Sequence, residues 1–472
     1  MRFLDQILVF LYSFILAILP TSTYVEGVIG QPKSFLPHQA VTQTDKTIST
    51  LIFRGLFKYD IYGSLIPDLA DTWTVSDNGT VYTITLKDNQ RWSDGRKITA
   101  DDLIYTSYKV PDLTGVATDK VNDFTVRYTL PNKFSPFLSL LTIGVMPANA
   151  EDLYNPLTPI SSDHFRVARI ERSGPIIKQV TLINTNSNDS VRKLIFRYYV
   201  NEDELVIAAK LGEIAGFISS KATDLENFEE YKYPIQGVYY ALFFNLKNEK
   251  FVDVVLRQKL EKALAVEDMI FGKGILVQGP ISRSIFTDRA VESDKYDESF
   301  RDDLGDLIVE ITIPDLPVQK ELANKIKKKW KDSLNVSVTI KVVDPSKIND
   351  EVIKGRKFEV LLYGQEIGRD PDRYVNWHST QKDFPGLNLS GFSHVRSDRA
   401  LEEGRNEPDN DKRIVHYNEF QKVISEQVPA IFLYHPYFKY YVNKKVQGIG
   451  EKYTFTLTDR FLDFTNWKMS DD

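Results

Sequence analysis

The stretch VEITIPDLPVQKELANKIKKKWKDSLNVSVTIKVV, residues 309–343, decides the fold class. Its apolar residues alternate with polar ones from Val309 to Ile313, recur every four residues from Val318 to Leu334, and alternate again from Val336 to Val342. Alternation is the period of a strand, and a spacing of four is close to that of a helix. Strand, helix and strand in this order form a right-handed crossover, which builds largely parallel sheets covered by helices. The second half of the chain is therefore predicted to be α/β.

Two further helices are predicted on either side of this stretch. Asp253 can cap a helix whose apolar face, Leu256, Leu260 and Leu264, has a spacing of four residues. We expect this face to pack on a sheet. A second helix is predicted over residues 414–428, and it leads into the apolar run 430–434, which is typical of a buried strand.

Turn and cap signals organise the N-terminal half. Asp77, Asn78 and Gly79 separate two stretches of alternating apolar residues, which predicts a β-hairpin. Thr99 and Asp102 have the spacing of a capping box, so a helix is expected to begin near Ala100.

The composition is that of a large globular protein. The chain has 472 residues, 42% of them hydrophobic, which is enough for about two or three folding units. Its formal net charge of -6 offers no basic field, so nucleic acid is not expected as a partner. The 28 Phe, 24 Tyr and 5 Trp residues supply rigid surfaces for ligand clefts as well as for the core. Because cysteine is absent, disulfides, thiolate metal sites, cysteine nucleophiles and a lipid-modified N-terminal cysteine are excluded.

An apolar run from Ile7 to Leu19 follows Arg2 and ends at Pro20. A membrane-spanning helix needs about 20 apolar residues, whereas the apolar part of a signal peptide needs only about 7 to 15. We therefore expect residues 1–27 to be a signal peptide or, if they are not cleaved, an N-terminal membrane anchor. A buried core helix is the alternative.

Short motifs occur along the chain in an order that periodicity does not explain. They are LIFRGLFKYD (51–60), PDLA (67–70), SDNGT (76–80), WSDG (92–95), ITADD (98–102), FFNL (243–246), VLRQKL (255–260), DPD (370–372) and VQG (446–448). In this order they resemble the bacterial extracellular solute-binding proteins of family 5, the oligopeptide and dipeptide binders. The resemblance covers nearly all of the chain from about Val28 onward.

The resemblance implies an α/β fold of the periplasmic-binding-protein type II-like class, with two lobes joined by a hinge and an extra domain inserted in lobe one. By analogy, lobe one comprises residues 28–52, 159–237 and 446–472, the inserted domain residues 53–158, and lobe two residues 238–445. Closure of the two lobes would trap the solute.

The segment after the predicted strand 358–362 is the main candidate for ligand contacts, because α/β proteins bind ligands in loops at strand ends. The resemblance implies that an Asp four positions before the proline of the DP motif pairs with the amino terminus of a bound peptide. Here that position is Ile367. Glu366 can restore the carboxylate if the loop shifts by one residue. Gln365, Glu366 and Asp370 are therefore candidate ligand-binding residues, with a solvated loop as the alternative.

Trp377 and His378 in the same segment are also candidates. Trp377 can form a wall of the cleft, and His378 can donate to a ligand carboxylate or bind a metal chelate; ordinary packing is the alternative for both. The resemblance adds Phe35, on the N-terminal strand that lines the cleft, and Asn245, where lobe two begins. The six histidines show no i, i+4 spacing, so neither a metal site nor a cofactor is expected.

Catalysis is not expected. The motifs H-E-x-x-H, G-x-S-x-G, Walker A and G-x-G-x-x-G are all absent from the sequence. Acidic pairs such as Asp101 with Asp102 are more often helix caps than an acid and a base, so a secreted hydrolase has only generic support.

The predicted function is an extracytoplasmic solute-binding protein, located in the periplasm or at the cell surface. It would act as a monomer that captures peptides or similar small solutes for the permease subunits of an ABC importer. One alternative is a non-peptide solute, such as an oligosaccharide or a metal chelate. Another is an envelope sensor or scaffold that has lost transport.

Overall fold

The computed structural model describes residues 22–221, 224–281 and 296–470. The strands in these ranges are β1 (Ser22–Ile29), β2 (Phe57–Tyr59), β3 (Leu65–Pro67), β4 (Ala70–Ser76), β5 (Val81–Leu86), β6 (Ala117–Asn122), β7 (Thr125–Thr129), β8 (Phe165–Ser173), β9 (Ile176–Asn184), β10 (Val191–Tyr199), β11 (Gly216–Ser219), β12 (Phe228–Pro234), β13 (Val238–Phe244), β14 (Gly274–Leu276), β15 (Ile308–Pro314), β16 (Ser337–Val343), β17 (Val360–Glu366), β18 (Ala430–Asn443), β19 (Val446–Gln447) and β20 (Lys468–Met469).

The α-helices in the same ranges are α1 (Gln43–Ile52), α2 (Ala100–Lys109), α3 (Phe137–Leu140), α4 (Ala150–Leu153), α5 (Glu202–Lys210), α6 (Val254–Lys262), α7 (Val266–Ile270), α8 (Pro317–Leu334), α9 (Tyr374–Trp377), α10 (Val395–Asn406) and α11 (Asn410–Gln427). Single 3-10 turns lie at Asp77–Gly79, Pro111–Leu113, Glu249–Phe251, Ser379–Gln381, Leu457–Phe461 and Phe464–Asn466, and a π-helical turn at Asn349–Ile353.

The predicted crossover is confirmed by β15, α8 and β16. The two strands pair in parallel, with Ile311 opposite Ile340. Leu322 and Trp330 on α8 are buried, and the Trp330 indole N–H donates to the Leu260 carbonyl oxygen at 2.9 Å. The helix ends at Asn335, whose positive φ of 57° is the left-handed conformation common at helix ends.

The local signals of the N-terminal half are confirmed as well. β4 and β5 form the predicted antiparallel hairpin, and Asn78 has a φ of 59° in its turn. α2 begins at Ala100, and the Asp102 carboxylate accepts the Thr99 backbone N–H at 2.8 Å. In the second half, Asp253 accepts the Val255 N–H at 2.8 Å to start α6, as predicted, but the helix ends at Lys262, before Leu264. The helix predicted over residues 414–428 is α11.

The large sheet is mixed and not largely parallel, which corrects the prediction for the second half. β15 is parallel to β16 and β17, but β13 is antiparallel to both β17 and β18. Parallel neighbours need a crossover connection. No crossover connection leads into β13, because only three residues separate it from β12, which lies in the other lobe.

Lobe two buries both faces of its sheet. Along β13, Tyr239, Ala241 and Phe243 belong to one hydrophobic cluster, and Leu242 and Phe244 belong to the cluster on the opposite face under α8. A strand that is buried on both faces carries a continuous apolar run instead of an alternating one, and the sequence VYYALFF of β13 has this form.

The inserted region carries its own antiparallel sheet, in the order β4, β5, β7, β6. Its core is nevertheless continuous with that of lobe one. Ile84 and Trp92 of the inserted region belong to the same hydrophobic cluster as Tyr24, Phe196 and Trp467 of lobe one. This region therefore extends the first lobe.

Strand β18 passes from one lobe to the other. Its first part pairs with β13, whereas residues 437–443 pair with β12 and residues 439–442 with β11, both in lobe one. We expected residues 238–445 to form lobe two, but the partners of β18 change near Pro436. The strand runs unbroken for 14 residues, and the local signal at the change is Pro436, because a proline has no N–H to donate to a neighbouring strand.

The chain also begins its fold earlier than expected. β1 starts at Ser22 and pairs in parallel with β10, so residues 22–27, which we assigned to the leader, are part of the large sheet. Tyr24 and Glu26 on this strand are fully buried. The apolar run from Ile7 to Leu19 lies outside the described residues. Within the described ranges, no helix combines the length and the apolar character that a membrane crossing requires.

His435 links the two chain segments that connect the lobes. Its Nδ1 lies 2.7 Å from the Val238 carbonyl oxygen, and the neighbouring Pro436 carbonyl accepts the Ile235 N–H at 2.7 Å. The second ring nitrogen, Nε2, is buried without a hydrogen-bond partner among the described residues. Burial lowers the pKa of His435 to about 4, and nearby Arg373 adds to the decrease, although the Val238 carbonyl opposes it.

We expect this histidine to make the protein less stable in acid. Its pKa is about 6.5 in the unfolded chain and about 4 in the folded one, so the unfolded chain binds the proton more tightly. The free energy of unfolding should therefore decrease by about 2 to 3 kcal/mol as the pH falls from above 6.5 to 4. Urea denaturation of wild type and His435→Asn at pH 7 and pH 4.5 measures this difference. The pH dependence should shrink in His435→Asn and persist in His164→Asn, a control at an exposed ring; an equal dependence in all three proteins would contradict the prediction.

Candidate ligand-binding cleft

A cavity of about 600 Å³ lies where the first lobe, the inserted region and lobe two meet. Its walls come from residues around α1 and β2, from Thr142–Gly144, from Asp163–Phe165 and from the 3-10 turns near the C-terminus. Lobe two contributes Arg369, which lies in the loop after β17. A cavity that is bounded by both lobes is the expected position for a ligand that is enclosed by lobe closure.

Arg369 reaches from lobe two into the first lobe. Its guanidinium lies between the rings of Tyr59, at 4.6 Å, and Phe455, at 4.8 Å. Nη2 donates to both carboxylate oxygens of Asp459 at 2.6 Å. Nη1 is buried and has no hydrogen-bond acceptor among the described residues. Arg369 therefore joins the lobes and keeps one donor group unpaired beside the cavity.

A second arginine lines the cavity from the first lobe. Arg54 donates to Asp68 through Nη2 at 2.7 Å and through Nε at 2.9 Å, and its Nη1 donates to Gln90 at 2.7 Å. Lys58 is 3.7 Å from the same carboxylate. The contacts with the Asp68 carboxylate are all made to Oδ1, and they balance the charge of this carboxylate with cations of the chain itself.

Asp163 differs from Asp68 in its partners. Its carboxylate accepts the His164 backbone N–H at 2.7 Å, and the His164 ring lies 3.8 Å away. No lysine or arginine of the described ranges lies within ion-pair distance of it. Burial raises the pKa of this carboxyl, and the nearby charge of Asp68 adds to the rise, whereas His164 and Arg54 oppose it.

Gln365 and Trp377 belong to a buried hydrogen-bond network in lobe two. The Tyr239 hydroxyl donates to Gln365 Oε1 and accepts the Trp377 indole N–H at 3.2 Å, and Gln365 Nε2 donates to the Leu387 carbonyl at 2.8 Å. The Trp377 ring packs against Phe432, with ring centroids 5.8 Å apart, and is 1% exposed. Trp377 is thus a core residue in this structure and does not form a cleft wall, because the aromatic residues of β13 and β18 enclose it.

Asp370 is held by a buried arginine. Arg413 donates to its two oxygens at 2.7 and 3.0 Å, and the Asp372 N–H adds a bond of 2.9 Å. Burial alone would lower the pKa of Arg413, but the Asp370 carboxylate outweighs burial and raises it. Both carboxylate oxygens of Asp370 therefore serve the fold of the loop.

His378 stacks on Tyr374, with ring centroids 4.0 Å apart, and its nitrogens contact Thr380 at 2.8 Å and Glu402 at 3.2 Å. Its side chain is 5% exposed. Among the described residues, no group of three or more His, Asp or Glu side chains is arranged to hold a metal ion.

Phe35 and Asn245 lie apart from each other and from the loop after β17. Phe35 is fully buried in the core of the first lobe. The Asn245 side chain donates to the carbonyl oxygens of Arg356 at 3.0 Å and Phe358 at 2.9 Å, which ties the end of β13 to the start of β17. Both side chains are thus occupied by packing or by backbone partners.

Glu366 is the one exposed side chain among the seven candidates. It stands at the end of β17 opposite Val238, and no ion pair joins it to another described residue. The structure brings Gln365 and Trp377 together through Tyr239, but none of the seven candidates lines the cavity. The lining residues Arg54, Asp163 and Arg369 were missed. The sequence does carry a signal for two of them. Arg54 is a charge inside the largely apolar motif LIFRGLFKYD, and Arg369 directly precedes the DP motif. Asp163 has no comparable signal.

The chain was compared with known proteins. The model of the bacterial extracellular solute-binding proteins, family 5 Middle, matches residues 64–271. The predicted family resemblance is confirmed. The chain is 23% identical to the oligopeptide-binding protein AppA of Bacillus subtilis over 471 residues, which cover 87% of this chain and 86% of AppA.

Two solved structures share the fold of this chain over almost its whole length. The ABC transporter substrate-binding protein CtaP of Listeria monocytogenes superposes with a TM-score of 0.79 at 21% identity, covering 95% of this chain and 99% of CtaP. NikZ of Campylobacter jejuni, solved in complex with Ni(L-His), gives 0.71 at 23% identity, with 95% and 100% covered. These likenesses confirm the α/β, periplasmic-binding-protein type II-like fold.

Proposed function

We propose that this chain captures peptides, or similar small solutes, outside the cytoplasm and delivers them to the permease subunits of an ABC importer. The family resemblance supports this role, since the similar AppA is an oligopeptide-binding protein and CtaP a substrate-binding protein of an ABC transporter. The protein would act as a monomer without catalysis. Its N-terminal segment would serve as a signal peptide or membrane anchor.

The observation that carries this proposal is the cavity between the lobes. Two chain connections join the lobes, the residues between β12 and β13 and the middle of β18, and they are hydrogen-bonded to each other at Ile235 and Pro436. A pair of adjacent connections acts as a hinge, because rotation there moves the lobes as rigid bodies. A ligand that contacts both walls favours the closed state by its differential affinity.

The division into lobes is part of the proposal, and its boundaries take the start of β1 and the course of β18 into account. Lobe one would begin at Ser22 and include the end of β18, lobe two would run from Val238 to about Pro436, and the inserted domain would keep residues 53–158. Asp163 lines the cavity, whereas Glu366, exposed at the end of β17, does not.

Direct binding measurements test the proposal. Isothermal titration calorimetry of the full chain against pools of free di- to pentapeptides should show saturable binding of at least one pool. At about 100 times its Kd, that pool should stabilise the folded state by about 2.7 kcal/mol, which appears as a higher melting temperature. Oligosaccharides and nickel-histidine serve as parallel probes. Binding of either in place of peptides, or of none of the three, would contradict the peptide proposal.

A further inference from the structure

The charges that line the cavity are unequally paired. Among the described lining residues, four carry a carboxylate: Asp68, Asp163, Asp189 and Asp459. Asp68 is bound by Arg54 and Lys58, and Asp459 by Arg369 together with the Phe455 N–H at 2.7 Å and the Thr456 N–H at 2.8 Å. Each of these two carboxylates thus has a cationic partner within the chain and does not need a ligand to balance its charge.

Asp189 is also satisfied. One of its oxygens accepts the Asn184 amide at 2.8 Å and the other accepts the Asn186 amide at 3.0 Å. Asp163 remains, with a single backbone N–H and a histidine ring at 3.8 Å. A carboxylate in a partly desolvated site is costly unless it is paired, so Asp163 is short of a cation.

Asp163 is also accessible to a ligand. Its side chain is 24% exposed, while its backbone is held in place because its N–H and that of Ser162 both donate to the Ile52 carbonyl, at 3.2 and 2.9 Å. The Ser162 hydroxyl in turn accepts the Arg54 N–H at 2.9 Å. A fixed, partly open carboxylate on the wall of a cavity is a preorganised acceptor for an ammonium group.

We propose that Asp163 binds the ammonium group of the solute, the role that the family resemblance implied for a carboxylate at the position of Ile367. The assignment rests on the proposed function, because it names the residue that selects an amine within the same cavity. Ile367 itself is nearly buried, at 8% exposure, and belongs to the hydrophobic cluster of lobe two. Glu366 does not line the cavity, so it is not placed to bind this ammonium group. An ammonium group on Asp163 would supply the partner that the described part of the chain does not.

The test compares two neutral variants in the full chain. For a peptide that binds the wild type, Asp163→Asn should raise the Kd about 30-fold or more, because a buried ammonium loses its counter-charge. N-acetylation of that peptide should cause a similar loss with the wild type, and the two losses should not add, since each removes a partner of the same contact. Glu366→Gln is the matched control, and its Kd should equal that of the wild type.

Circular dichroism and thermal denaturation check that each variant folds. If Asp163→Asn fails to fold, Asp163→Ser provides a second neutral variant, because its hydroxyl can still accept the His164 N–H. A Kd that is unchanged in the Asp163 variants overturns the assignment while the proposed function stands. A loss of binding in Glu366→Gln assigns the amine to Glu366 and overturns it as well. If the wild type binds no peptide, both the proposed function and the assignment fail.

Discussion

Replacement of Arg460 by methionine is expected to lower the free energy of unfolding by about 3 to 5 kcal/mol. Arg460 Nε donates to Glu26 at 2.9 Å, and the two side chains are 3% and 0% exposed. Glu26 stands on β1 in the centre of the large sheet, while Arg460 comes from the C-terminal 3-10 turn. The substitution would leave a buried carboxylate without its cation.

Two tyrosines complete this buried network. The Tyr24 and Tyr440 hydroxyls donate to the other Glu26 oxygen at 3.0 and 2.9 Å, and lie 2.6 Å from each other. Burial raises the pKa of both phenols well above the ordinary value, and the Glu26 charge adds to the rise. The hydroxyls therefore remain protonated and can donate, but they cannot neutralise the carboxylate.

Chemical denaturation followed by circular dichroism measures the loss. Arg96→Met is the matched control, because Arg96 pairs with Asp94 at the surface, with side chains 49% and 33% exposed, and should cost less than about 1 kcal/mol. The double variant Glu26→Leu with Arg460→Met should be more stable than Arg460→Met alone, since it removes the orphaned charge. A loss for Arg460→Met no larger than that for Arg96→Met would show that the network does not support the core.

The second large effect is expected for Trp377→Ala, which should destabilise the protein by about 3 to 5 kcal/mol. The ring packs among Phe243, Phe392 and Phe432 with centroid distances of 6.2, 6.4 and 5.8 Å, and its N–H donates to Tyr239. Removal leaves a large cavity and takes away the N–H that the Tyr239 hydroxyl accepts, although this hydroxyl still donates to Gln365. Trp73→Ala provides the comparison, because Trp73 is 39% exposed and should cost much less.

Peptide affinity separates the two interpretations of Trp377. A core residue contributes to stability, so Trp377→Phe should bind peptide like the wild type while it unfolds more easily. If Trp377 forms a wall of the cleft, Trp377→Phe should instead bind peptide more weakly while its stability stays unchanged. That result would show that Trp377 contacts the ligand.

Much of the architecture could be predicted because it depends on local periodicity and caps. The strand, helix and strand of residues 309–343, the hairpin at Asn78 and the capping box at Thr99 are all present in the structure. Each of these elements is specified by residues that are close together in the sequence. The mixed sheet and the change of partners along β18 were missed, because pairing over long sequence separations leaves no periodic signal.

The family motifs predicted the fold more directly than the ligand contacts, since many of their residues hold the backbone together. The Arg257 guanidinium binds the Gln427 and Val428 carbonyls at the end of α11, and its pKa is lowered to about 10 by burial. The Asn245 amide, in the motif FFNL, donates to the Arg356 and Phe358 carbonyl oxygens. Such residues identify a fold because the fold depends on them, whatever the solute.

The sequence by itself determined the fold class, the family resemblance and the absence of cysteine chemistry. Only the tertiary structure decided which charged residues remain available for a solute. Asp68 and Asp163 are both aspartates in the printed sequence, but Arg54 reaches one of them and no lysine or arginine of the described chain reaches the other. The availability of a charge depends on which side chains lie within about 4 Å of it, and distances between remote segments are created only when the chain packs.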